Sequence, residues 1–324
     1  MTDIESYKGF TPINPEILRL GKKPGFDLYM SDPNGPALYR QANMEFSREI
    51  LHFLLEQDVE YLYFKNEEER EYFEYIESNL DNIMADINVP ITRKALIVYN
   101  TSAYLARQLL ISPETADLIR RASRVLDTIV TFTSHDPSTY KKLIDLLPQD
   151  YFTHTHSVNV ATYSLALGSE LGFNVNNGLL ELTLGALLHD VGKSRVPQEI
   201  LNKTGPLSSH EISILKKHVE WGDQIVRNTS SVPFRSYPAI SQHHERLDGS
   251  GYPASISSPH IFGRIVAVAD SFDAMTTNRP YGNAKSSFTA ASILKARTNQ
   301  YDPAVVDALV RVMADREAKQ EIAI

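Results

Sequence analysis

The stretch LLELTLGALLHDVGK, Leu179 to Lys193, decides the fold. Its apolar residues at 179, 180, 182, 184, 187 and 188 recur at helical spacing, and the pattern stops at Gly192. A helix with that much apolar surface belongs inside a helical core, yet it ends on His189 and Asp190. Burying either group without a partner costs a few kcal/mol. The same conflict recurs downstream and upstream: His156 in THSVNVATYSLAL, His218 in LKKHVEWG, the adjacent pair His243-His244, and Asp270 in VAVADSF all interrupt apolar helical faces. Neighbouring side chains on a helix point about 100° apart, so an amphipathic helix buries at most one of His243 and His244. The conflict disappears if these groups meet one another around metal. The chain has no cysteine, so imidazole and carboxylate are the ligands it offers a divalent ion.

Bulk composition narrows the remaining possibilities. The 324 residues suggest about two domains. With 42% hydrophobic and 22% charged residues the chain reads as ordinary globular material. A formal charge of −8 argues against long nucleic acid as a partner, which demands an excess of Lys and Arg. The N-terminus, MTDIESYKGF, lacks a signal-peptide core, and the apolar run LTLGALL is far too short to span a bilayer. A soluble, cytoplasmic protein without membrane insertion is expected.

Texture divides the chain. Over residues 1–90, short segments rich in Tyr and Phe (FTPIN, FDLYMSD, PALYR, EYLYF) alternate with Pro, Gly and Asn turns and read as strands. FSREILHFLLEQ has helical spacing, and NEEEREYFEYIESNLDNIM reads as an acidic helix with a solvated charged face. Residues 91–148 read as connecting helices: one from Arg93 to Ile111, one opened by Ser112-Pro113, and one opened by Asp136-Pro137. Residues 149–324 form a helical domain that includes HEISILKKHVEWGDQIV, 210–226, as one helix, and a last helix capped by Asp302-Pro303. The fold class expected is mainly α, a C-terminal helical bundle joined by long helices to a smaller N-terminal α+β domain. The N-terminal module is expected to regulate or to bind signalling partners, and the connecting helices offer a homodimer surface.

His189-Asp190 with Gly192-Lys193, then His218, then HHERLDGSGYP from His243 to Pro253, then Asp270, together resemble the HD-GYP family of HD-domain metal phosphohydrolases. The similarity runs from about Asp150 to Pro303 and takes in VPQEILNKTGPLS, ADSFDAMTTNRPYG and YDP. It implies a helical bundle holding two or three metals, often iron, and cleavage of cyclic di-GMP. By the same resemblance His156, His189, His218, His243, His244 and Asp270 are ligands and Asp190 bridges two ions. Lys193 resembles a phosphate-binding lysine, which makes His189, Asp190 and Lys193 the catalytic set. Asp248, Gly251 and Tyr252 of the GYP loop would line the substrate pocket, and Arg279 resembles a phosphate or guanine contact. Members with three ions typically carry a glutamate four residues before the HS histidine; here that residue is Phe152, so two ions are expected, iron with manganese also suited. Two ions about 3.5–4 Å apart acidify a bridging water, whose hydroxide attacks phosphorus in line. The product expected is pGpG, with GMP as a further step.

Two other readings stay open on sequence alone: a sensor that binds the dinucleotide without turnover, and an enzyme acting on cyclic GMP-AMP. Several residues carry blander expectations. Asp136 reads as an N-cap, His154 as a surface or rim residue, and Tyr163 and Trp221 as packing. Glu245 is placed to hydrogen-bond a ligand imidazole or to sit at the surface, and Asp273 to support the site from behind.

Overall fold

Aromatic, β-branched segments between Gly and Pro turns form the only sheet among the described residues, which in the computed structural model are 7–135, 138–148, 152–278 and 283–320. The chain divides into two compact units, Met1–Ile97 and Val98–Ile324. In the first, β1 (Phe10–Ile13), β2 (Leu28–Met30), β3 (Ala37–Arg40) and β4 (Leu62–Lys65) pair antiparallel in the order β1-β4-β2-β3. Phe10 opposes Lys65 and Ile13 opposes Leu62, which sets every second residue toward the core. Helix α1 (Arg48–Glu56) lies between β3 and β4 in sequence, and α2 (Glu69–Ala85) follows β4. Phe26, fully buried, meets Phe64, Tyr72 and Tyr75 edge-on at centroid distances of 5.5–5.9 Å. Arg19 closes this unit by pairing with Asp86 at 2.5 Å, while its backbone N–H donates to the Tyr75 hydroxyl.

Helix α3 (Ile91–Ile111) runs across the division between the units. The second unit continues with α4 (Ala116–His135), α5 (Ser138–Asp145), α6 (Thr153–Glu170), α7 (Leu179–Leu188), α8 (Gln198–Leu201) and α9 (Ser209–Lys216). It ends with α10 (His218–Asn228), α11 (Tyr237–Ser241), α12 (Ile261–Thr276), α13 (Ser287–Lys295) and α14 (Pro303–Gln320). The mainly helical architecture with a small N-terminal sheet agrees with the sequence expectation. At its centre α6 packs on α7 and α12, and α7 packs on α4 and α11. Every residue of α6 from His156 to Gly168 is buried, which explains why this helix shows no polar stripe. Tyr163 packs edge-on against Phe272 of α12. Asp302 caps α14 by accepting from the Ala304 N–H, as its Asp-Pro start signal predicts.

Three boundaries differ from the periodicity reading. The helix expected from Ser112 begins at Ala116, because Ser112 instead closes a turn with Thr115. The helix expected to reach Gly192 ends at Leu188 and gives way to a 3₁₀ turn, Val191–Arg195. The single helix expected over 210–226 is two, α9 and α10, tightened at Lys217 by a three-residue bond to Ile214. The last two changes belong together. A β-carbon on Gly192 would sit 1.9 Å from the His218 carbonyl oxygen, so only glycine lets the 3₁₀ turn press onto the start of α10. That contact brings His218 up to Asp190. The Asp136 cap lies outside the described residues.

Candidate metal centre

Each candidate ligand comes from a different place in the helical unit. His156 lies one turn into α6, His189 and Asp190 follow α7, His218 opens α10, His243 and His244 follow α11, and Asp270 lies on α12. All are buried or nearly so. Asp190 stands among them. Its Oδ1 is 3.3 Å from His218 Nε2, and its Oδ2 is 3.3 Å from His189 Nε2, 3.6 Å from His156 Nε2 and 2.5 Å from Lys193 Nζ. Asp270 Oδ1 lies 3.2 Å from His156 Nε2, and its Oδ2 is 3.8 Å from His244 Nδ1.

The ring orientations are fixed from behind. Nδ1 of His189, His218 and His243 each faces a backbone carbonyl, of Ala186, Leu215 and Ile240, at 2.7–2.8 Å. Those carbonyls assign the proton to Nδ1 and turn an Nε2 lone pair toward the centre. His156 Nδ1 is held by Asp273 at 2.6 Å; Asn159 donates to the other oxygen of Asp273, and the Tyr99 hydroxyl donates to Asn159. The supporting place expected for Asp273 is the one it occupies. Glu245 does something else. Its carboxylate accepts from the Ala254 and Ile256 N–H groups, so it anchors the GYP loop and no imidazole.

This donor set fits metal. His189 Nε2 is buried with no hydrogen-bond partner, although Asp190 lies nearby. His218 Nε2 and His243 Nε2 face each other at 3.4 Å, and with both protons on Nδ1 two lone pairs oppose one another there. Cations held in this cluster would satisfy these nitrogens. Three groups have donor atoms within 4.8 Å of one another: His218, His243 and His244; His156, His189 and Asp270; His189, Asp190 and His243. They share His189 and His243, so the arrangement suits adjoining ions.

Charge states agree. Burial, then the neighbouring histidines, keeps His243 well below the ordinary imidazole range. Burial takes His244 down to about 3 and lowers His218 despite Asp190. For Asp190, burial works upward, but the Lys193 ammonium and the histidines outweigh it and hold the carboxyl well below its usual range. Asp270 is held low in the same way, chiefly by the hydrogen bond from His156. Neutral imidazoles and ionised carboxylates are the forms a divalent ion requires.

Of the other sequence candidates, Gly251 and Tyr252 meet the cluster directly. A β-carbon on Gly251 would lie 2.5 Å from the His244 carbonyl, so glycine is what allows this loop to close. The Tyr252 N–H donates to that carbonyl, its ring stacks on His244 at 4.6 Å, and Lys216 Nζ sits 4.8 Å over its other side. Asp248 is exposed and spends its oxygens on Ser250 and Asn299. Arg279 lies outside the described residues. A cavity of about 900 Å³ adjoins the site, with Lys193 in its wall. The segment 198–207 that lines it belongs to the phrase VPQEILNKTGPLS that carried the family resemblance, but sequence reasoning gave its residues no role in the site.

Residues 137–305 match the family model described as HD domain, slightly more than half of the chain. The chain belongs to the HD-domain family, in its HD-GYP branch. This HD-GYP chain is 32% identical over 195 residues to a cyclic di-GMP phosphodiesterase of Pseudomonas aeruginosa, covering 59% of the chain and 47% of that relative. It is 35% identical over 189 residues to a cyclic di-GMP phosphodiesterase of Thermotoga maritima, covering 56% and 51%. A 3′3′-cGAMP-specific phosphodiesterase of Vibrio cholerae is 37% identical over 167 residues, covering 49% of the chain and 38% of the relative. The chain thus spans about half the length, or less, of these curated relatives. Among solved structures, Bd1817, an HDG"Y"P protein from Bdellovibrio bacteriovorus, superposes with a TM-score of 0.66 at 23% identity over 94% of this chain and 99% of that one, which shows the shared fold. Among the described residues of the HD-GYP chain, no helix is long and apolar enough to cross a membrane.

Proposed function

We propose that the chain is a metal-dependent phosphodiesterase that opens cyclic di-GMP to pGpG. The observation that carries this reading is the convergence of three imidazole Nε2 atoms, of His218, His189 and His156, on Asp190, with tautomers preset by two backbone carbonyls and by Asp273. In this reading two divalent ions are held, iron or manganese. His218, His243 and His244 would hold one, His156, His189 and Asp270 the other, and Asp190 would contribute its carboxylate to both. When bound, the ions supply Lewis acidity to the scissile phosphate and to the attacking water. The protein's own residues do the rest. The carbonyl-backed imidazoles and the Asp273 pair with His156 hold donors in place, so little reorganisation is needed when charge develops. Lys193, part-buried beside Asp190, places a fixed positive charge where the phosphate oxygens gain negative charge. Tyr252, packed on His244, closes one side of the cluster.

A finer division belongs to the same proposal: residues 1–90 as a regulatory or partner-binding module, 91–148 as connecting helices able to pair between subunits, and 149–324 as the hydrolase, acting in the cytoplasm. A second reading, cleavage of 3′3′-cGAMP, is favoured by the cGAMP-specific relative. Purified, metal-analysed protein incubated with each dinucleotide and resolved by chromatography tests both. Linear pGpG accumulating from cyclic di-GMP supports the proposal. Preferential loss of 3′3′-cGAMP would select the second reading, and unchanged substrate in both reactions would reduce the domain to a binding role.

A further inference from the structure

The cavity of about 900 Å³ is at the upper end of the size range of small-molecule sites. One wall carries Lys193; others carry Phe152 and, from the segment after the 3₁₀ turn, Gln198, Leu201, Asn202 and Leu207. Two features of this lining bear on what it could hold. Phe152 is a large aromatic left 60% exposed at the mouth of this cavity. Its backbone is nonetheless firmly placed: its N–H donates to the Thr155 hydroxyl, and its carbonyl accepts from that hydroxyl and from the His156 N–H. The ring lies nearly parallel to His154 at 5.8 Å. A rigidly mounted, solvent-facing ring beside a lysine suits a planar group carrying a phosphate.

The second feature is the pair Gln198 and Asn202. The Asn202 amide donates to Gln198 Oε1 at 3.2 Å, which orients both side chains and leaves the Asn202 oxygen and the Gln198 amide nitrogen uncommitted among the described residues. One acceptor and one donor held side by side match the edge of a purine, whose face would lie against apolar walls. Resting on the cyclic dinucleotide reading, we propose that this cavity is the base pocket of the substrate. In it Phe152 is the stacking platform, Gln198 and Asn202 face the base edge, and Lys193 holds the phosphate at the pocket's inner end.

GMP is a suitable probe because it carries the base and a phosphate but has no diester to cleave. Binding of GMP and of ribose 5-phosphate to the metal-loaded protein is measured by calorimetry. Phe152→Ala is expected to weaken GMP binding roughly 10- to 100-fold, the scale of losing one base–aromatic stack, while ribose 5-phosphate binding stays as in the parent. Phe152→Trp should restore GMP binding. Equal GMP affinity in the parent and Phe152→Ala would overturn the proposal, as would a matching loss of ribose 5-phosphate binding, which would make the ring a prop for the phosphate site. A parent protein that binds no GMP also overturns it. A failure of the hydrolytic reading is distinguishable: GMP binding would keep its dependence on Phe152 while neither dinucleotide is turned over.

Discussion

Asp190→Ala is expected to yield a folded protein that retains no tightly bound metal and does not turn over cyclic di-GMP. Asp190 is 1% exposed, and its two oxygens reach His218, His189, His156 and Lys193. Without it, the imidazoles lose the central carboxylate that would offset an ion's positive charge. The helices that deliver these residues are held by apolar packing of α6, α7 and α12, far more contact than one carboxylate supplies, so the helical circular dichroism should persist. Asp190→Asn keeps the volume and separates charge from shape; it should lose metal as well. Metal content and turnover surviving in both variants would sink the assignment of the cluster.

Lys193→Ala should behave differently. Its Nζ stands 2.5 Å from Asp190 Oδ2, it lines the adjoining cavity, and its side chain is 18% exposed. Nothing in that placement donates a lone pair to metal, because an ammonium has none. Removing it relieves positive charge near the ions, so metal content should stay near normal. What is lost is one preorganised charge at the phosphate, which typically costs roughly 10²–10³ in kcat/KM. Metal lost together with activity would mean that Lys193 supports the fold of the site and is no electrostatic contact. The two variants together separate holding the ions from using them.

Much of this was legible in sequence for a simple reason. A histidine or aspartate inside an otherwise apolar helix is a local contradiction, and His156, His189-Asp190, His218, His243-His244 and Asp270 each announced one. Their meeting could be inferred because only mutual contact removes the cost. Strands and turns of the first unit were equally readable from aromatic segments between breakers. What escaped was set by tertiary contact. Lys217 lies in a sequence that is helical throughout, and the break there sits beside the close approach of Gly192 to the His218 carbonyl, a contact that periodicity does not encode. Glu245 follows two histidines in sequence yet serves Ala254 and Ile256, because the loop folds back over it. The cavity past Arg195 is made by residues such as Leu201 and Asn202, whose shared space exists only once the chain has folded.

The ion count tests the centre itself. Protein prepared anaerobically and measured by elemental analysis should carry two tightly bound divalent ions per chain, since the proposed reading divides the overlapping donor groups between two ions and Phe152, one turn before His156, offers no third carboxylate. No retained metal would contradict the account at its root, and three ions per chain would contradict its reading of Phe152.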